Sequence, residues 1–282
     1  MKLLVDSGAT KADWIALDDE GNRLFTTQTL GLSPEVINKE EALERLEARF
    51  DIFNNRKDVT NLYFYGAGCG TDRMKTYMSN VFKEFFPNAD VSVKEDTYAA
   101  AYATNPSNEK AIICILGTGS NCSYFDGEEL IQKVQSLGYI AMDDCSGNRF
   151  GRELVRAYYF NKMPKHLSDK FAAEYNLEPD VIKHNLYKEP NPNAYLATFA
   201  KFLIQNKEDE FIKKIIVDQM QIFVENYILQ FEDAHEVPVH FVGSIAFYLK
   251  TELAEVLAAN GLKTGNILRR PIDGLIEYHE LN

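Results

Sequence analysis

Apolar positions fall in short runs broken by polar turns from the first residues onward. "KLLVD" is an apolar run ending in an aspartate, "DWIAL" is a second, and "RLFTTQTL" is a third of alternating character. Gly8 lies between the first two runs, and the cluster Asp18-Asp19-Glu20-Gly21-Asn22 lies between the last two. Such runs, bounded by turn formers, predict three strands joined by tight connections. The stretch from Ala111 repeats the plan: "AIICIL", the loop "GTGS", "NCSYF", a turn at Asp126-Gly127, and "ELIQKV". Ser7-Gly8-Ala9-Thr10 and Gly117-Thr118-Gly119-Ser120 stand at an offset of 110, as do Trp14 and Tyr124. An internal duplication of one strand-loop-strand unit follows from that spacing.

Helical periodicity separates the two units. "PEVINKEEALERLEARF" opens on Pro34 and carries Val36, Leu43, Leu46 and Phe50 along one stripe; "DRMKTYMSNVFKEFF" follows the strand "NLYFYGAG" in the same manner. The second half is richer in helix, with "GRELVRAYYF", "NAYLATFAKFLIQN", a long helix over 208–234, and "SIAFYLKTELAEVLAAN" ending at Gly261 after the strand "VPVHFVGS". Strands alternating with helices, and a hairpin opening each half, predict an α/β protein of two domains with mixed sheets. The turn formers of "ATNPSNEK" set the boundary, giving domains 1–106 and 107–282. The short tail after "PIDGLIEYH" is a candidate to pack back on the first domain.

Composition narrows the partners. A net charge of −12 leaves no Lys/Arg excess to displace counterions, which argues against a nucleic acid as partner. No apolar window is long and uncharged enough to span a bilayer, and "MKLLVD" lacks the apolar core of a secretion signal, so no membrane partner and a cytoplasmic location are expected. Cys69, Cys114, Cys122 and Cys145 show no CxxC spacing, and the five histidines form no HExxH, so buried thiols and no structural zinc are expected. The sequence leaves a homodimer open.

The two glycine-and-hydroxyl loops carry the chemistry. Closely spaced backbone N–H groups and hydroxyls in a hairpin, with little side chain in the way, suit a phosphate. Two such loops at matching places of a duplicated unit can clamp a polyphosphate from both sides of an interdomain cleft. The P-loop pattern GxxxxGK[ST] is absent, no GxGxxG opens a helix after a strand, and "GTGSN" is not a nucleophile elbow. ATP enters such a site as a magnesium complex, and a hard cation that keeps most of its waters is held by one or two carboxylates. Asp6, at the end of a strand, is the candidate for Mg²⁺, directly or through water, with Thr10 and the loop amides on the phosphate.

These stretches, with "YFYGAGCG", "EDTYAAAYA", "SLGYIAMDDCSG", "HFVGSIAF" and "RRPIDGLIEYH" in that order, resemble the N-acetylglucosamine kinases and their relatives among the BadF/BadG/BcrA/BcrD-type ATPases. The resemblance runs through essentially the whole chain. It implies two ribonuclease H-like domains of the actin-like ATPase and sugar kinase superfamily, hinged around a cleft. By position it implies a first phosphate loop at Gly8, Thr10 and Lys11, a second at Gly117, Thr118 and Gly119, and an adenosine motif at Gly243 and Ser244. Asp96 matches the catalytic base, which would take the proton of a sugar hydroxyl, the 6-OH of an amino sugar. Ser120, Asn121, Gly138 and Asp143 match sugar contacts.

The chain also departs from its relatives. Where they carry "GDEGS" it has Met142-Asp143-Asp144-Cys145-Ser146, keeping Asp143 and placing side chains at two glycine positions; the Asn that relatives carry after "GLS" or "GIN" is missing from "GLSPEV". Two other readings stay open on the sequence. One is an ATP-driven activator of a 2-hydroxyacyl-CoA dehydratase, whose iron–sulfur cluster needs thiolates on a surface shared with a second subunit. The other is a sugar or nucleotide sensor of the same fold without turnover.

Overall fold

The computed structural model describes residues 1–8 and 11–281. Its contacts divide the chain into two compact units, Met1–Asn108 together with the stretch from Arg270 onward, and Glu109–Arg269. Among the described residues no helix is long and apolar enough to cross a membrane.

In the first unit the strands are β1 (Lys2–Ser7), β2 (Lys11–Leu17), β3 (Arg23–Leu30), β4 (Asn61–Gly66) and β5 (Asp90–Glu95). They lie in the order β3-β2-β1-β4-β5, with β1 antiparallel to β2 and parallel to β4. Between them run α1 (Lys39–Glu47), α2 (Phe50–Asn55), α3 (Asp72–Phe85) and α4 (Asp96–Thr104), and the unit is completed by the C-terminal helix (Ile272–Leu281). Alternation along the strands divides their side chains between two faces. Leu3, Val5, Ala12 and Trp14 join Leu46, Phe82 and Phe86 in one apolar core. Asp6 and its cross-strand neighbour Asp13 belong to the opposite face. There α4 and the C-terminal helix pack against β1. The alanines of α4 permit that close approach, and Tyr102 stacks on Tyr278 with ring centroids 4.1 Å apart.

The predicted helix from Pro34 begins later, and its start has a chemical cause. Asn38 accepts a hydrogen bond from the Glu41 N–H at 2.9 Å, and the Glu41 carboxylate accepts one from the Asn38 N–H at 3.1 Å. This capping box fixes Lys39 as the first helical residue, and Ser33 to Ile37 form a turn instead.

The second unit repeats the plan of the first. Its strands are β6 (Ala111–Leu116), β7 (Ser120–Phe125), β8 (Leu130–Ile131), β9 (Pro238–Val242) and β10 (Lys263–Leu268), in the order β10-β9-β6-β7-β8. Again the leading strand is antiparallel to the next one and parallel to a later one, β6 with β7 and β9. The strand expected over "ELIQKV" shrinks to two residues. The helices are α5 (Gly147–Tyr159), α6 (Lys165–Glu174), α7 (Pro179–Tyr187), α8 (Pro192–Thr198), α9 (Ala200–Gln205), α10 (Glu210–Asn226), α11 (Ser244–Tyr248) and α12 (Lys250–Ala259). Helix α10 stops short of the expected 234 and passes into a tight turn at Ile228–Gln230. The single helix expected after "VGS" is two, broken at Leu249. Phenylalanines of α6, α9 and α10 and the apolar face of β6 form one core, which also holds Cys114, Cys122 and Cys145.

Candidate active site

Each unit presents one set of candidate groups. In the first, Asp6 precedes the last residue of β1 and stands opposite Asp13 in the β1–β2 register. Like charges facing each other across an antiparallel pair repel. Asp13 is compensated: Gln28 donates to its Oδ1 at 2.6 Å and the Lys11 ammonium lies 3.0 Å from its Oδ2. Asp6 is not compensated to the same degree. Burial, then the charges of Asp96 and Asp13, push its carboxyl up to about 7 against the pull of Lys11 and Arg270.

Asp96 is the first residue of α4, directly after β5. A carboxylate there receives the open N–H groups of the first helical turn, and Asp96 accepts backbone hydrogen bonds from Thr97 and from its own N–H. Those bonds are outweighed. Burial, followed by the neighbouring Glu95, pushes Asp96 up to about 6. The helix's flanking N-cap residue is Glu95, whose side chain makes no capping bond, so Asp96 is not the cap itself.

Of the first loop, the Gly8 N–H donates to the Lys11 carbonyl at 3.0 Å and closes the connection. Lys11 is exposed, with its ammonium on Asp13. Thr10 lies outside the described residues. Arg270 forms a two-pronged ion pair with Asp273, at 3.1 and 2.7 Å, and lowers Asp6; sequence reasoning gave neither Arg270 nor Asp13 a role. The residues fit a hydrated dication. Asp6, Asp13 and Asp96 bring more negative charge than Lys11 and Arg270 offset. Among the described residues no group of three or more His, Cys, Asp or Glu is placed to hold a metal ion.

The second set is held by backbone. The Gly117 N–H donates to the Gly119 carbonyl at 3.0 Å, the Gly147 N–H to the Gly117 carbonyl at 2.8 Å, and the Asn148 N–H to the Thr118 carbonyl at 3.0 Å. The start of α5 is thereby laced to the hairpin loop. Glycine is required at Gly243, which has φ +122° and whose Cβ would stand 2.2 Å from the Leu116 carbonyl. This lets the β9–α11 turn approach the end of β6. Ser244 then opens α11, and a cavity of about 600 Å³ collects Gly117, Thr118, Ser244, Ile245, Ile204 and Tyr248. Its apolar walls and backbone floor have the character of a small-molecule site.

Asp143 is buried, adopts φ +65°, and accepts from the Asn148 side-chain amide at 2.9 Å. A Cβ on Gly119 would meet its Oδ2 at 2.8 Å, so loop and carboxylate are in close contact. Ser120 is buried with no partner for its hydroxyl. Asn121, the next residue of β7, points to the other face of the strand and accepts from Ser123 and Gln132, each at 3.2 Å. Gly138 has φ +78° and its carbonyl accepts from the Met142 N–H at 2.9 Å. Sequence reasoning missed Asn148; the available signal was a polar residue immediately behind the "SG" that opens α5.

All four cysteines are buried free thiols. A cluster shared between subunits needs exposed ones, so the dehydratase-activator reading gains no support.

Two five-stranded mixed sheets, each led by a hairpin with a glycine loop and crossed by helices, define the actin-like ATPase fold of sugar kinases. Comparison with family models returned no match, and neither did comparison with curated protein sequences. Among solved structures, a proposed N-acetylglucosamine kinase from Porphyromonas gingivalis is 33% identical over 100% of this chain and 99% of its own, with a TM-score of 0.92. The chain belongs to the family of N-acetylglucosamine kinase-like sugar kinases, which are phosphotransferases. A second proposed N-acetylglucosamine kinase, from Chromobacterium violaceum, shares the fold at 16% identity over 100% of this chain and 98% of its own, with a TM-score of 0.71. So does a ROK family glucokinase from Streptomyces griseus in complex with glucose and AMPPNP, at 14% identity over 99% of this chain and 98% of its own, with a TM-score of 0.60.

Proposed function

We propose that this protein is an ATP-dependent kinase of an amino sugar, N-acetylglucosamine at its 6-hydroxyl, acting in the cytoplasm as a BadF/BadG/BcrA/BcrD-type ATPase. The observation that carries the reading is Asp96, a carboxylate at the junction of β5 and α4 held up to about 6. A base near the working pH is ionised and still has the driving force to take a hydroxyl proton. In the reaction Asp96 would receive the proton of the sugar hydroxyl as the hydroxyl oxygen bonds to the γ-phosphorus of ATP and the bond to the β–γ bridging oxygen breaks, releasing ADP.

Asp6 would hold Mg²⁺, directly or through water, and the ion when bound neutralises charge on the transferring phosphoryl group. Gly8, Thr10 and Lys11 would form one phosphate loop, with Lys11 supplying a cation, and Gly117, Thr118 and Gly119 the other. The cavity beside Gly243 and Ser244 takes the adenosine. Asp143 accepts hydrogen bonds from sugar hydroxyls, with Ser120 and Gly138 on the same substrate; among the described residues the buried Ser120 hydroxyl has no partner and can donate. Support for the sugar comes from the relative 33% identical, described as a proposed N-acetylglucosamine kinase.

The test is ADP release with MgATP against N-acetylglucosamine, glucosamine, N-acetylmannosamine, N-acetylmuramic acid and glucose, beside Asp96→Asn. N-acetylglucosamine should give the highest kcat/KM and the variant should lose it. Sugar binding without turnover would replace this reading with that of a sensor.

A further inference from the structure

Asn148 sits between two loops whose own chemistry does not require it. It is the second residue of α5 and fully buried. Its side-chain nitrogen donates to two acceptors at once, the Thr118 carbonyl at 2.7 Å and Asp143 Oδ2 at 2.9 Å. Its side-chain oxygen is buried with no hydrogen-bond partner among the described residues. The amide's orientation follows from its neighbours, since turning it over would set its oxygen against a carbonyl and a carboxylate.

A buried acceptor without a partner is costly, and an apolar side chain of similar outline would avoid that cost. What asparagine alone supplies here is one nitrogen serving a carbonyl of the second glycine loop and the Asp143 carboxylate together. The same carboxylate oxygen also lies against Gly119, where even a Cβ would come within 2.8 Å of Oδ2. Asp143 thus meets both the loop at Gly119 and the amide that holds the loop at Thr118. A displacement of Thr118 reaches Asp143 through a single side chain.

We propose that Asn148 is a positioning residue that couples nucleotide binding at the 117–119 loop to sugar binding at Asp143. The inference rests on the assignment of those two groups made under the proposed function. It goes beyond that assignment in making one residue the link between the two substrates. Coupling of this kind is a ratio of affinities and is reciprocal: whatever factor ADP adds to sugar binding, sugar adds to ADP binding.

The deciding variant is Asn148→Leu, which keeps the outline, removes both donors and removes the unpartnered oxygen. Calorimetric titration of N-acetylglucosamine with and without saturating ADP gives the coupling factor, and a thermal melt reports the fold. Wild type should show sugar affinity changed by about 5-fold or more by ADP. In Asn148→Leu that factor should fall to about 1 and the sugar Kd should rise about 10-fold, while the melting temperature reports separately the loss of its two hydrogen bonds. Asn148→Ser, which keeps one donor, should fall between, and it decides the matter should the leucine variant not fold. Wild-type coupling in these variants, or no coupling in the wild type, overturns the proposal. Asp143→Ala is run beside them. If it loses sugar binding while Asn148→Leu does not, the positioning role alone fails; if it binds sugar normally, the assignment of Asp143 fails and the proposal goes with it.

Discussion

The hairpins β1–β2 and β6–β7 share one plan and keep their carboxylates in opposite ways. Around the first, Asp6 faces Asp13, lies near Asp96, and is pushed up to about 7. Around the second, Asp143 meets an asparagine amide and a glycine. The first set places carboxylates against one another, so that Asp6 holds its proton up to about 7; the second is held by hydrogen bonds within its own loop.

Neutralising substitutions break the comparison most directly. Asp96→Asn should lower kcat by about 10²- to 10⁴-fold, the range of a lost general base. Because its carboxylate and that of Asp6 are held against their ordinary values, Asp96→Asn and Asp6→Asn should each raise the melting temperature while removing activity. Asp143→Ala should do the reverse to stability, since it deprives the Asn148 amide of an acceptor, at about 1 kcal/mol. Thermal melts of the three variants decide it. A fall in all three would mean that both halves are held by ordinary hydrogen bonding.

The pH response sharpens the same contrast. In its proposed role Asp96 would take a proton only when ionised, so kcat/KM should fall about tenfold per unit as pH drops below about 6. Stability moves the other way for Asp6. Its carboxyl is raised from 3.8 to about 7, so the folded state binds the extra proton, and this contribution is full below 3.8 and lost as pH rises through about 7. Urea midpoints of wild type and Asp6→Asn should converge at low pH and separate above 7, with the variant the more stable. In the second unit His240 has the opposite sign. Burial lowers it from 6.5 to about 4 while its Nδ1 accepts from the Asn266 N–H at 2.8 Å, so its contribution is present above 6.5 and lost as pH falls through about 4. His240→Gln should remove that acid-side loss without touching the Asp6 effect.

Much of this was legible in the sequence because it is local. The strand-loop-strand pattern and its duplication depend on neighbours along the chain, and so does the placement of Asp96 at a strand-to-helix junction. Helix limits were less legible because they turn on single side-chain bonds, as at Asn38 and Glu41. What could not be read was pairing across distance: Asp13 opposite Asp6, Arg270 acting on Asp6 from the far end of the chain, and Asn148 reaching Thr118 and Asp143. The expected agreement of Ser120 and Asn121 fails for a related reason, since adjacent strand residues point to opposite faces.

The smallest effect tests how the second half came to be rigid. Cys145 is fully buried and adopts φ +60°. A non-glycine residue in that conformation carries a penalty of about 1 kcal/mol, whereas the buried sulfur contributes packing of about the same size. Cys145→Ala keeps the penalty and loses the sulfur, so it should cost about 1 kcal/mol. Cys145→Gly loses the sulfur and Cβ but relieves the backbone, so it should be close to neutral. That order reverses the usual advantage of alanine over glycine, and urea denaturation of both variants measures it. Burial also pushes the Cys145 thiol up, so it should resist alkylation in the native protein. If alanine proves more stable than glycine, the left-handed backbone is not what holds the 143–146 loop, and the weight shifts to the hydrogen bonds that Asn148 makes from the start of α5.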